Sequence, residues 1–78
     1  MIGKALKYLR IKKGLSQEQL GKITNIGRST ISDYEREKTD INYSNLEKIA
    51  NNCGFNIMFV SEDNKEKWQV KDLKRKDV

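Results

Sequence analysis

The sequence predicts an all-α fold of four short helices over residues 1–54, followed over residues 55–78 by a short C-terminal β-strand or hairpin extension. Three observations carry this. Apolar residues recur at helical spacing in four successive runs, each bracketed by start and stop signals. The middle two runs are short and lie only a few residues apart, which implies a sharp corner between them. After Gly54 the period changes, and the chain becomes aromatic and branched over a stretch too short for a helix.

Helix 1, roughly residues 2–13, places Ile2, Leu6 and Leu9 at helical spacing with lysines between them, and Gly14 supplies the stop. Ser16 followed by Gln19 has capping-box spacing and opens helix 2 at about 17–23. Leu20 and Ile23 are expected to share its inner face. Gly21 costs helix propensity, so its presence implies that another backbone passes close by. Thr24-Asn25-Ile26 forms the turn, in which Asn25 tolerates a left-handed backbone and Ile26 plugs the space between helices. Gly27 caps helix 3, about 28–36, with Ile31 and Tyr34 inward. A polar loop covers 37–42, and Asn42 caps helix 4, whose apolar stripe is Tyr43, Leu46, Ile49, Ala50 and Cys53 before Gly54 ends it. Phe55 to Ser61 reads as a strand, Glu62 to Lys65 as a turn, and Lys67 to Lys71 as a second strand, with the last few residues, Lys74 to Asp77, expected as a disordered tail.

Composition narrows the function classes. Seventy-eight residues make one small core and leave no room for an enzyme with a deep pocket. There is no histidine, and the single Cys53 forms neither an internal disulfide nor a zinc pattern. No nucleophile–base pair, metal cluster or phosphate-cradling glycine loop can be assembled, so neither a metal nor another cofactor is expected. The longest apolar run, Ile57 to Val60, is four residues; no signal peptide or membrane span is read, and a cytoplasmic location is expected. The formal charge is +5, and residues 1–14 carry five cations and no acid, whereas the tail from Glu62 is nearly balanced. A basic folded part suits a polyanionic partner.

Ile2-Gly3…Leu6…Leu9-Arg10, then Gly14 to Leu20, then Arg28-Ser29-Thr30-Ile31-Ser32 with Tyr34-Glu35, and finally Leu46…Lys48-Ile49-Ala50 agree in type and order with one family. Over residues 2–54 the chain resembles the lambda repressor/Cro (Xre) helix-turn-helix regulators. The resemblance implies a lambda-repressor-like DNA-binding domain in which helix 3 enters the major groove and its first turns touch base edges. Carried over residue by residue, Gly27, Arg28, Ser29 and Asp33 face bases. Arg28 has the fork to bond guanine O6 and N7 together. Asp33 departs from the neutral or basic residue usual there; it either accepts from cytosine N4 or repels phosphate and restricts docking. Gln17 matches a phosphate-binding position, although it also suits a plain first helical residue. Thr30, Arg36 and Lys38 are phosphate contacts by the same token, with ordinary solvated charge as the alternative for the last two. The family pairs Arg10 with Glu35 as an ion pair that sets the angle of helix 3.

The extension lies beyond that motif and resembles antitoxins of the HipB kind, whose strands pair across a dimer axis. An isolated strand has an unpaired edge that a second copy can satisfy. Phe55, Ile57, Met58, Phe59 and Val60 are the dimerisation candidates, with Phe55, Ile57 and Phe59 toward the helices and Met58 and Val60 on the far side. An intramolecular hairpin with Trp68 and Val70 over the core is the other reading, and both can hold together. Trp68 is then either a hairpin anchor or a hot spot for another protein. The expectation is a sequence-specific, dimeric transcriptional repressor of a phage, mobile-element or toxin–antitoxin operon, bound to double-stranded DNA at an inverted repeat. The alternatives are an antitoxin that also holds a toxin protein through residues 55–78, a controller that activates as well as represses, and an interaction module without DNA binding.

Overall fold

In the computed structural model, which describes residues 2–70, four helices run α1 (Ile2–Lys13), α2 (Gln17–Thr24), α3 (Arg28–Glu35) and α4 (Tyr43–Asn52), followed by strands β1 (Met58–Val60) and β2 (Lys67–Gln69). The order matches the expected all-α domain with its short C-terminal hairpin. The expected disordered tail lies outside the described residues.

Local chemistry sets the boundaries. Ser16 Oγ accepts from the Gln19 amide at 3.0 Å while the Ser16 amide donates to Gln19 Oε1 at 2.8 Å, so two orphan donors at the start of α2 are satisfied reciprocally. Asn42 Oδ1 accepts from the Asn45 amide at 2.8 Å and opens α4 in the same way. Between α2 and α3 the corner turns on Asn25, which takes the left-handed conformation at φ 58°.

Helices of eight to twelve residues are unstable alone, and here they hold one another through a shared core. Leu6, Leu20, Ile26, Ile31, Tyr34, Ile49 and Cys53 are buried together, and Leu9, Leu15, Ile41 and Leu46 pack against them. At Gly21 a side chain would place its Cβ 2.8 Å from the Ile26 carbonyl oxygen, so the bare position lets the turn fold back onto α2. Asn45 Nδ2 donates to the Tyr34 hydroxyl at 2.9 Å and ties α4 to α3.

Several expectations need correction in the helices. Ile23 does not share the inner face with Leu20; it is 51 % exposed, and Thr24 is buried in its stead. Thr24 belongs to the last turn of α2 rather than to the corner, and its hydroxyl donates to the Leu20 carbonyl at 2.8 Å, which satisfies the one polar group it takes inside. Ile2, the first residue of the expected stripe, also faces outward, and Gly3 is buried beside it.

In the extension, β1 and β2 pair antiparallel within the chain, with Met58 opposite Gln69, Phe59 opposite Trp68 and Val60 opposite Lys67. The expected orientation is not found: Phe59 does not face the helices but is 64 % exposed, and Phe55, Met58 and Val60 are exposed as well. Trp68 is 39 % exposed and does not close over the core. The hairpin follows a short connection after α4: Ile57 and Gln69 lie beside Glu47 and Asn51 of that helix, whereas the side chains of β1 stay exposed.

Candidate nucleic-acid interface

The site is built on α3. Ile31 and Tyr34 anchor one side of the helix in the core, which turns Arg28 and Ser29 outward at its first turn. Gly27 precedes them as an N-cap without a side-chain hydrogen bond and is exposed, so the approach to the helix start is open. Thr30 and Asp33 are half-buried on the flank, while Arg36 and Lys38 are exposed beyond its end. An open groove of about 260 Å³ runs along this flank, lined by Gln17, Arg28, Ser29, Ser32, Asp33 and Arg36. The fold therefore brings Gln17, from the start of α2, to the same face as the outer side chains of α3. Ser32 joins the groove too; sequence reading passed over it, although it lies one turn beyond Ser29 on the same helix.

Behind the flank a polar network fixes α3. Arg10 Nε donates to Glu35 Oε2 at 2.6 Å and Arg10 Nη2 donates to Oε1 at 3.0 Å, a two-pronged ion pair between α1 and α3. The third prong, Nη1, donates to the Leu15 carbonyl at 2.9 Å and so also holds the link between α1 and α2. Gln17 Nε2 donates to Glu35 Oε1 at 3.2 Å, which places the side chain against the ion pair. The Arg10 and Glu35 side chains are 11 % and 4 % exposed, so the ion pair works largely out of water. Burial pushes the Glu35 carboxyl up, but the hydrogen bonds from Arg10 and Gln17 and the charges of Arg10 and Lys7 together pull it below the usual carboxylate range. Arg10 is raised in turn, first through its hydrogen bond to Glu35. Farther out, Arg36 Nη2 lies 3.3 Å from Asp33 Oδ1, an exposed pair one helical turn apart.

Chemically, the face offers a guanidinium and hydroxyls at the mouth of a helix that the core holds rigid, with further cations at its far end. Such a set bonds base edges and phosphate oxygens. The described residues contain no cluster of His, Cys, Asp and Glu able to hold a metal ion, and no described helix is long and apolar enough to cross a membrane. Burial holds the Cys53 thiol above its usual value, which favours the unreactive protonated form.

A helix-turn-helix family model matches residues 6–59. Among curated proteins, the immunity repressor protein of Bacillus phage phi105 is 32% identical over 56 residues, which is 72% of this chain and 39% of the relative. The HTH-type transcriptional regulator ImmR of Bacillus subtilis (strain 168) is 38% identical over 50 residues, 64% of this chain and 39% of the relative. A Neisseria hypothetical transcription factor from Neisseria meningitidis serogroup B is 38% identical over 45 residues, 58% of this chain and 42% of the relative. The chain thus spans about two-fifths of the length of the curated relatives it matches. No solved structure matches it.

Proposed function

Because the chain belongs to the helix-turn-helix family, of the lambda repressor/Cro (Xre) type whose members are DNA-binding transcriptional regulators and not enzymes, we propose that it is a sequence-specific repressor acting as a homodimer on an inverted repeat. The observation that carries this reading is the exposed flank of α3, with Arg28 and Ser29 turned outward at its first turn while Ile31 and Tyr34 fix its opposite side. In this reading α3 enters the major groove, and Arg28 bonds guanine O6 and N7 with a discrimination of about 1–3 kcal/mol. Ser29 meets a neighbouring base edge, and Gly27 lets the backbone approach. Gln17, Thr30 and Lys38 contact phosphates and set the register. Arg10 and Glu35 touch no DNA; they fix the angle of α3, on which every other contact depends.

One module touches few phosphates, whereas two copies about 34 Å apart read both halves of a palindrome on one face of the duplex. The edge of β1 away from β2 joins the copies, with Phe55, Ile57, Met58, Phe59 and Val60 in the contact. An operator so occupied excludes polymerase from an overlapping promoter. Support for an operon of a phage or another mobile element comes from the relative named as a phage immunity repressor. The test is selection of bound sequences from a random duplex pool by the purified protein. An enriched inverted repeat with guanine at a fixed place in each half, lost in Arg28→Ala, is the expected result. A pool without enrichment at any salt concentration overturns the proposal.

A further inference from the structure

Asp33 is the only acid among the six residues that line the groove beside α3. A carboxylate on a surface facing a polyanion repels phosphate on every sequence alike, so it lowers affinity everywhere unless something compensates it. The other acid of α3, Glu35, is held by Arg10. Asp33 is held by Arg36, whose Nη2 sits 3.3 Å from its Oδ1, with the two side chains 40 % and 58 % exposed. The pair is thus within reach of whatever enters the groove, and an exposed pair of this kind is weak enough to be exchanged.

Resting on the DNA-binding reading above, we propose that Asp33 is a specificity-determining residue that withholds Arg36 from phosphate until the carboxylate finds a better partner on the DNA. An ionised carboxylate only accepts hydrogen bonds. In the major groove the amine N4 of cytosine offers a donor without an adjacent acceptor, whereas the N6 amine of adenine lies beside the acceptor N7. On a half-site with cytosine in reach, Asp33 bonds N4 and Arg36 is released to a backbone phosphate. On other sequences the pair stays closed, so one cation is lost to the interface and the carboxylate gains no partner on the duplex. Non-specific binding is suppressed more than specific binding is.

The test compares the full chain with Asp33→Asn, whose amide keeps the shape, loses the charge and suits adenine N6 and N7. The pool selected by the unsubstituted protein should carry cytosine at one place in each half-site, and the Asp33→Asn pool should replace it with adenine. On a random duplex, Asp33→Asn should bind about tenfold more tightly at low salt, with a logarithmic salt slope steeper by about 0.9 per bound chain. Adding Arg36→Ala should cancel both gains. Matching melting curves are expected, since both side chains are exposed. Unchanged base preference in Asp33→Asn, or a gain in affinity that survives Arg36→Ala, overturns the proposal while leaving DNA binding in place. Failure of the unsubstituted protein to select any sequence overturns the DNA-binding reading itself, and this inference with it.

Discussion

At Gly3, the start of α1 crosses the end of α3 so closely that a Cβ there would stand 2.5 Å from the Tyr34 carbonyl oxygen and 2.7 Å from that of Glu35. Helix propensity alone favours alanine at this place by about 1 kcal/mol. The overlap is with backbone, which has no rotamer to escape into, so steric cost wins. Gly3→Ala should lower stability by about 1–3 kcal/mol in chemical denaturation, the usual range for overpacking; an unchanged or raised midpoint would show that the first turn of α1 shifts freely. Gly21 was legible in the sequence because it interrupts a helix between good helix formers. Gly3 was not, since a glycine at a helix start needs no special reason. Single residues also decided which phase α2 takes. Both Ile23 and Thr24 fall on the side of Leu20, at three and four residues' distance, and hydropathy picks the isoleucine. The fold picks Thr24, whose hydroxyl finds the Leu20 carbonyl, and that compensation has no signature in periodicity.

Between elements, the contact that matters most for the α3 angle is the one made by Arg10. It reaches α3 through Glu35 and the α1–α2 link through Leu15, while Gln17 adds α2 to the same carboxylate. Removing one partner of so buried a pair leaves an uncompensated charge, so Arg10→Met should cost about 3–5 kcal/mol, and a combined Arg10→Met with Glu35→Leu should recover much of it. The same pair sets a pH dependence. Because the folded carboxyl of Glu35 titrates below its ordinary value, its contribution is complete above that value and is lost as pH falls through the lower, folded one. Unfolding measured from about pH 7 to about pH 3 should therefore show a deficit in Glu35→Gln that is largest at neutrality and shrinks in acid. A deficit that stays constant across the range would assign the effect to packing instead. Caps and turns made the helix order readable in advance: Ser16 with Gln19, Asn25, and Asn42 are local signals with local causes. That Gln17 turns toward Glu35 is a matter of how two helices meet, eighteen residues apart, and no local pattern encodes it.

Across the whole molecule, the helical part accounts for its own core, and the hairpin does not join it. The strand period after Gly54 was readable, but assigning its faces requires knowing where a covering layer sits, and among the described residues all three of β1 are exposed. β2 occupies one edge of β1, which leaves the other edge for the second copy in the proposed homodimer. In an antiparallel pairing of β1 with its symmetry mate, Phe59, at the middle of the strand, falls near the axis. Phe59→Asp then sets two carboxylates face to face and removes the most exposed ring of the patch, without touching the helical core. Sedimentation at micromolar concentration should give a monomer for this variant and a dimer for the unsubstituted chain. Linked modules gain about 10²–10⁴ in avidity over either alone, so binding to a full inverted repeat should weaken by about a hundredfold or more while binding to a single half-site stays the same. The salt slope on the full site should fall to about half, because only one chain's counterions are released. A variant that remains dimeric with its full-site affinity intact would move the dimer contact away from β1, onto a surface that the helices themselves provide.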